Sequence, residues 1–176
     1  YAGLNTPAWA LLNRETSYGV SWHIITPGID EGDLLAQRLF DLAPDETSLS
    51  LNMRCFAAGL ESFGELVDAL ASGTETRTPQ NLDARTVFMR DDRPEGGAFV
   101  DWTRAADDIA ALVRALDFGP YPNALASPRV RAGGEVFLLR EAEARDEEGM
   151  GPPGGVLTLD DQEMLLTTGR GVLRVT

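Results

Sequence analysis

Lysine is missing from this chain of 176 residues: all 15 basic side chains are arginine, set against 28 Asp and Glu. That absence excludes a Schiff-base lysine and the GxxxxGK phosphate loop. The net charge of −13 argues against a nucleic-acid partner, whose nonspecific affinity depends on Lys and Arg displacing condensed counterions. Neither half reverses the sign, since residues 1–92 carry 6 Arg against 14 acids and residues 93–176 carry 9 against 14. A single cysteine, Cys55, cannot close an internal disulfide. Together with a single histidine, His23, it leaves a zinc site short of its usual ligands, so no metal is expected. No apolar run approaches the length of a membrane span, and the opening residues lack the basic and apolar blocks of a signal peptide. The expectation is a cytoplasmic protein with no membrane partner. The GxSxG nucleophile elbow is missing too.

What the sequence does hold is organised around GVSWHIITPGIDEGD, residues 19–33. Residues 20–26 read as an apolar, β-branched strand that breaks at Pro27-Gly28 and delivers Asp30 and Asp33 on a tight acidic loop. Val20, Trp22 and Ile24 share one face and Ser21, His23 and Ile25 the other, the pattern of a central strand covered on both sides. His23 then reads either as a satisfied core histidine or as a working base. Asp33 has the plainer reading of a loop or capping carboxylate.

Ahead of this stretch, Thr6-Pro7 opens a short helix with Ala8, Trp9, Leu11 and Leu12 as its apolar stripe. Behind it, residues 34–42 read as a second strand. A long helix follows, starting at residues 45–47, carrying Leu49, Leu51, Met53, Phe56, Leu60, Phe63, Leu66, Val67 and Leu70 at helical spacing and stopping at Ser72-Gly73. Cys55 and Met53 lie within it and read as packing residues. Residues 79–97 read as a linker, where the composition resets at RPEGG. A second unit then opens with Val100-Asp101-Trp102, a helix over residues 103–118 and about five short strands (residues 124–130, 135–144, 155–159, 164–168 and 171–175) separated by Gly and Asp turns, the pattern of a small barrel or sandwich. Asp101 and Trp102 read as joiners of linker to helix.

Three segments, in this order, resemble the folate-dependent formyltransferases: YAGLN with Trp9-Ala10, GVSWHIITPGIDEGDLL, and VDWTRAADDIAALVRALDFGPYPNAL. The chain is similar to methionyl-tRNA formyltransferases. In the wording SWHIIT, DFGPYPN and LNMRCF it is closest to the formyltransferase-like regions of nonribosomal peptide synthetases. The resemblance implies an α/β fold: residues 1–78 as the C-terminal part of a Rossmann-like formyltransferase domain with an incomplete sheet and flanking helices, residues 79–97 as linker, and residues 98–176 as a small open OB-like β-barrel. It also places an Asn-x-His motif a few residues upstream of Tyr1, so the expectation is of an N-terminally truncated member.

Formyl transfer to an amine develops an oxyanion and moves protons between two nitrogens, which calls for fixed donors and for a carboxylate beside an imidazole. Carried onto this sequence, the resemblance makes Asp30 that carboxylate and His23 a catalytic partner. Thr26, Pro27, Gly28 and Ile29 become the loop whose backbone meets the folate ring. It implies 10-formyltetrahydrofolate as formyl donor, an amine acceptor, possibly on a carrier protein, and a transferase acting in nonribosomal peptide synthesis. The alternatives are a methionyl-tRNA or nucleotide-sugar formyltransferase and, from another class, a noncatalytic formyltransferase-like interaction module. With the Asn-x-His motif absent, these 176 residues alone are expected to be inactive.

Overall fold

A computed structural model describes residues 1–176 and divides them into two compact units, residues 1–92 and 93–176. The architecture is α/β. In the first unit the elements run β1 (Ala2–Gly3), α1 (Thr6–Leu12), β2 (Ser17–His23), β3 (Leu34–Asp41), α2 (Ser48–Ser72), a single 3-10 turn (Leu82–Ala84) and β4 (Val87–Phe88). β2 and β3 form an antiparallel hairpin, and β1 pairs with β4 in parallel.

The anchoring strand sits three residues earlier than its β-branched run suggests. Ser17, Tyr18 and Gly19 pair with Asp41, Phe40 and Leu39, whereas Ile24 keeps one link, its N–H to the carbonyl of Asp33 at 3.0 Å, and Thr26 lies outside the ladder. Register here is set by the partner strand. Gly19 lets the strands approach at Arg38, whose carbonyl a Cβ would strike. β2 is also not covered on both faces: it belongs to a two-stranded sheet and its residues are half-buried or exposed.

Helix α2 is the brace of this unit. Thr47 accepts the Ser50 N–H while Ser50 Oγ accepts the Thr47 N–H, a reciprocal cap that satisfies two of the orphan donors of the first turn. Gly73 ends the helix at φ 66, and the Thr74 N–H reaches back to Ala69. Leu51, Ser62 and Leu66 face inward, and the Trp22 indole on β2 donates to Ser62 Oγ at 2.9 Å. Met53, Phe56, Leu60, Phe63, Val67 and Leu70 form an exposed stripe. A second set of contacts closes the unit: Phe88 stacks on Trp9 with ring centroids 4.5 Å apart and meets Tyr1 edge-on at 5.2 Å.

The boundary between units falls inside the stretch read as linker, but the first part of that stretch is fastened to the first unit. Gln80 bonds the carbonyls of Asp30 and Gly32 and Val87–Phe88 pairs with Ala2–Gly3, while just ahead of the stretch Thr78 bridges Leu34 through two main-chain hydrogen bonds.

The second unit runs through a 3-10 segment (Glu95–Ala98), α3 (Ala106–Ala115), β5 (Arg129–Ala132), β6 (Glu135–Leu138), β7 (Ala142–Arg145), β8 (Val156–Leu159), β9 (Met164–Thr167) and β10 (Val172–Val175). Ala106, Ile109, Ala110 and Val113 of α3 meet Leu139 and Leu173 in its core. β7, β10, β9 and β8 make one antiparallel sheet in that order, while β5 and β6 form a separate hairpin turned by Gly133 and Gly134, both at positive φ. The expected open barrel is thus represented by a four-stranded sheet and a hairpin with no continuous ladder around them. The interruption lies at Leu139, whose side chain goes to the core and whose N–H bonds the Pro128 carbonyl, splitting residues 135–144 into β6 and β7. Residues 149–154 have the spacing GxGxxG, but they join β7 to β8 of an antiparallel sheet and contain two prolines, so they lack the strand-to-helix setting of a dinucleotide site. No helix is long and apolar enough to cross a membrane.

Candidate active site

The hairpin loop between β2 and β3 brings Asp30 and His23 together. His23 is the last residue of β2, next to a register shift at which Trp22 pairs with Ala36 and His23 with Leu34, so the ladder skips Leu35. A bulge of this kind turns a side chain out of strict alternation. Asp30 has φ 52, a left-handed conformation that Asp adopts more readily than most residues. Its Oδ1 lies 3.5 Å from His23 Nε2, and its Oδ2 accepts the Gly3 N–H at 2.8 Å. On the other side of the ring, His23 Nδ1 is 3.0 Å from the Ile24 carbonyl. Both ring nitrogens therefore face oxygen, and the ring plane is fixed from two sides. The carboxylate and imidazole remain partly open, at 45% and 27% exposure.

Glycines make this geometry possible at two points. Gly3 sits at φ 90, where a Cβ would run into the Phe88 carbonyl, and Gly32 lies so close to the Ile24 carbonyl that a Cβ would collide with it. The first lets β1 lie against β4 while its N–H reaches Asp30. The second folds the loop back on the end of β2.

A cavity of about 410 Å³ opens over this pair, lined among others by Tyr1, Ser21, His23, Asp30, Gln37 and Arg85. It is a polar site of ordinary ligand-pocket size. Thr26, Pro27, Gly28 and Ile29 are not among its lining residues. They continue the loop beside it, with Thr26 and Pro27 exposed and Ile25 91% exposed. A second, apolar groove of about 420 Å³ lies between β2 and α2 and includes Trp22, Cys55, Phe56 and Leu60. The Cys55 thiol there is pushed up to about 11 by burial, only partly countered by the charge of Arg54, with Glu46 adding to the rise. It is therefore a poor nucleophile. No group of three or more His, Cys, Asp or Glu side chains could hold a metal ion.

Three contributors to the polar site were not legible in the sequence: the Gly3 N–H, Gln80 and Arg85. Gln80 and Arg85 belong to a stretch that reads as linker, and no local pattern marks them. Asp33 meets the end of β2 through its main chain, its carbonyl accepting the Ile24 N–H. Asp101 caps the following turn by accepting from the Thr103 N–H and hydroxyl, which hold its carboxyl below the usual range.

A family model described as "Formyl transferase, C-terminal domain" matches residues 95–176. The methionyl-tRNA formyltransferase of Agathobacter rectalis is 31% identical over 173 residues, covering 98% of this chain and 53% of that protein. That of Roseiflexus castenholzii is 33% identical with the same coverage. The chain is thus similar to formyltransferases along nearly its whole length. It spans about half the length of the curated formyltransferases it matches. Among solved structures, the N-formyltransferase of Helicobacter canadensis, in complex with folinic acid and dTDP-3-aminofucose, superposes with a TM-score of 0.77 at 19% identity. It covers 100% of this chain and 61% of the other. HypX of Aquifex aeolicus in complex with tetrahydrofolic acid gives 0.74 at 24% identity, covering 99% of this chain and 29% of that one. At these identities the two structures share a formyltransferase-type fold with the chain.

Proposed function

We propose that this chain forms the aspartate and histidine side of an active site that transfers a formyl group from 10-formyltetrahydrofolate to an amine. The observation that carries the reading is the Asp30 carboxylate, held by the Gly3 N–H at 2.8 Å and turned toward His23 at 3.5 Å in a polar cavity. The relatives and solved structures named above support the reaction class and the folate donor.

The residues present fit such a donor. The cavity offers side-chain donors and acceptors, and the neighbouring loop adds the exposed residues Thr26 and Pro27 beside the apolar side chain of Ile25, which suits a flat heteroaromatic ring with a polar edge. When bound, the folate supplies the one-carbon unit. Asp30 fixes His23 through Nε2 and takes up, directly or through water, the proton that the attacking amine sheds. With Nδ1 on the Ile24 carbonyl, His23 has only Nε2 with which to pass a proton from the Asp30 side to the oxygen or nitrogen that gains charge. Groups of this kind contribute ~10²- to 10⁴-fold each.

The acceptor we favour is an aminoacyl or amino-acid amine in peptide assembly, presented on a carrier protein. The acidic second unit, with 9 Arg against 14 Asp and Glu, supports this over tRNA, because a tRNA-binding face would be basic. On this reading the second unit is the counterpart of the small barrel domain of the family. The relatives themselves keep methionyl-tRNA and nucleotide sugars as the alternative acceptors.

With a single histidine and no Asn-x-His sequence, these 176 residues lack the amide and second imidazole that the family resemblance implies. We infer that the chain acts within a longer formyltransferase and is inert alone. Two assays decide. The isolated chain, given 10-formyltetrahydrofolate and amino acids, should yield no formylated product. In the full-length protein Asp30→Asn should lower turnover ~10²- to 10⁴-fold. Unchanged turnover in that variant would leave the noncatalytic interaction module as the better reading.

A further inference from the structure

We propose that Gln80 and Arg85 are positioning residues for Asp30, clamping the turn at residues 29–32 so that its carboxylate stays on His23. The proposal rests on the catalytic reading of Asp30 given above. A side-chain-bearing residue at φ 52 holds that conformation only when its surroundings impose it. Three carbonyls of the turn supply the grip. The Gln80 carboxamide nitrogen donates to the Asp30 carbonyl at 2.9 Å and to the Gly32 carbonyl at 2.6 Å, which uses both of its hydrogens. Arg85 donates through one nitrogen to the Ile29 carbonyl and through another to Glu31 Oε1 at 2.9 Å.

These bonds span 50, 48, 56 and 54 residues of sequence, and every one ends on the turn that carries Asp30. Arg85 is 18% exposed and its charge is matched by Glu31, so it is committed to the clamp rather than offered to a substrate anion. Gln80 and Arg85 flank the short 3-10 turn at Leu82–Ala84, and the chain then runs into β4, the partner of β1 and hence of Gly3. The same strap therefore sets both ends of the Asp30 carboxylate: its backbone through Gln80 and Arg85, and Oδ2 through Gly3.

The chemistry of the clamp selects the variants. Gln80→Glu keeps shape but offers the two carbonyls no donor, whereas Gln80→Lys restores donors to the same place. The first readout is hydrogen exchange of the Gly3 amide in the 176-residue chain, with Asp30→Gly, which tolerates the same φ, as the reference for a lost carboxylate. The second is the split between kcat and KM for 10-formyltetrahydrofolate in the full-length protein. Gln80→Glu should speed Gly3 exchange toward the Asp30→Gly rate and lower kcat about 10- to 100-fold, the scale of a catalytic group displaced by about an ångström, with KM little changed. Gln80→Lys should recover both. Gly3 protection that survives Gln80→Glu but is lost in Asp30→Gly would overturn the clamp. Loosened Gly3 exchange with kcat untouched in Gln80→Glu would overturn the positioning role. If Asp30→Asn also left kcat untouched, the catalytic reading of Asp30 would fall with it.

Discussion

Replacing Glu46 by glutamine tests how the first unit holds its long helix to its hairpin. Glu46 is 5% exposed. Ser50 Oγ donates to its Oε1 at 2.5 Å, and Arg54 pairs with its Oε2 while also donating to the Asp41 carbonyl at 2.9 Å and lying 4.4 Å over the Phe40 ring. The carboxylate thus ties the first turns of α2 to the end of β3 through one arginine. Burial pushes its pKa up, but the hydrogen bonds from Ser50 and Arg54, the Arg54 charge and the Ala43 main chain outweigh burial and bring it below the ordinary value of 4.5. Glutamine keeps the size and one acceptor and loses the charge. Hydrogen bonds to a charged group contribute ~1.5–3 kcal/mol and neutral ones ~0.5–1.5, so two such bonds lose ~2–3 kcal/mol. Arg54 is 39% exposed and partly screened by water, which lowers the expected cost to about 2 kcal/mol.

The sign with pH follows from the direction of the shift. A carboxyl whose folded pKa lies below its unfolded one adds stability above the unfolded value and loses it as pH falls through the folded value. Chemical denaturation of the native chain and Glu46→Gln should therefore differ by about 2 kcal/mol near neutral pH, with the gap closing as pH drops below the unfolded value of 4.5. A gap that is the same at about pH 3 as at neutrality, or absent at neutrality, would refute the reasoning.

Two further predictions concern single side chains of the first unit. The buried indole N–H of Trp9 has no hydrogen-bond partner, so Trp9→Phe should keep the stack on Phe88 and change stability by less than about 1 kcal/mol, whereas Trp9→Ala should cost ~3–5 kcal/mol. A large loss in the phenylalanine variant on thermal unfolding would mean that the N–H is satisfied after all. Cys55, raised from 9.0 to about 11, should react with iodoacetamide ~100-fold more slowly in the folded chain than in denaturant at neutral pH. Equal rates in both states would contradict its burial.

The frame of the first unit was legible because its signals are local. Residues 45–47 and Gly73 bracket α2 in the sequence as in the structure, whereas β2 stops at His23, short of the Pro27-Gly28 break. The start of β2 was not legible, since Ser17 and Gly19 on either side of Tyr18 have little strand propensity of their own and the three owe their pairing to residues 39–41. In the second unit α3 is shorter than its apolar stripe, running Ala106–Ala115, because residues 103–105 are drawn into turns: Thr103 bonds Asp101 and Ala105 bridges Arg170. Strand β5 begins at Arg129, where residues 124–130 suggested a longer run, since Asn123 ties Leu125 and Ala126 into a loop through its side chain. In the candidate site the two titratable groups could be named from a short stretch of sequence. The groups that hold them could not, because their bonds cross 27 to 56 residues and neither propensity nor periodicity reaches that far.

That a peptide N–H, and not a side chain, grips one oxygen of Asp30 has a practical corollary for mutagenesis. Alanine substitution at residue 3 does not test it cleanly, because the donor stays while the added Cβ would strike the Phe88 carbonyl. An ester in place of the amide at residue 3 removes the donor and adds no side chain, so it isolates the contact.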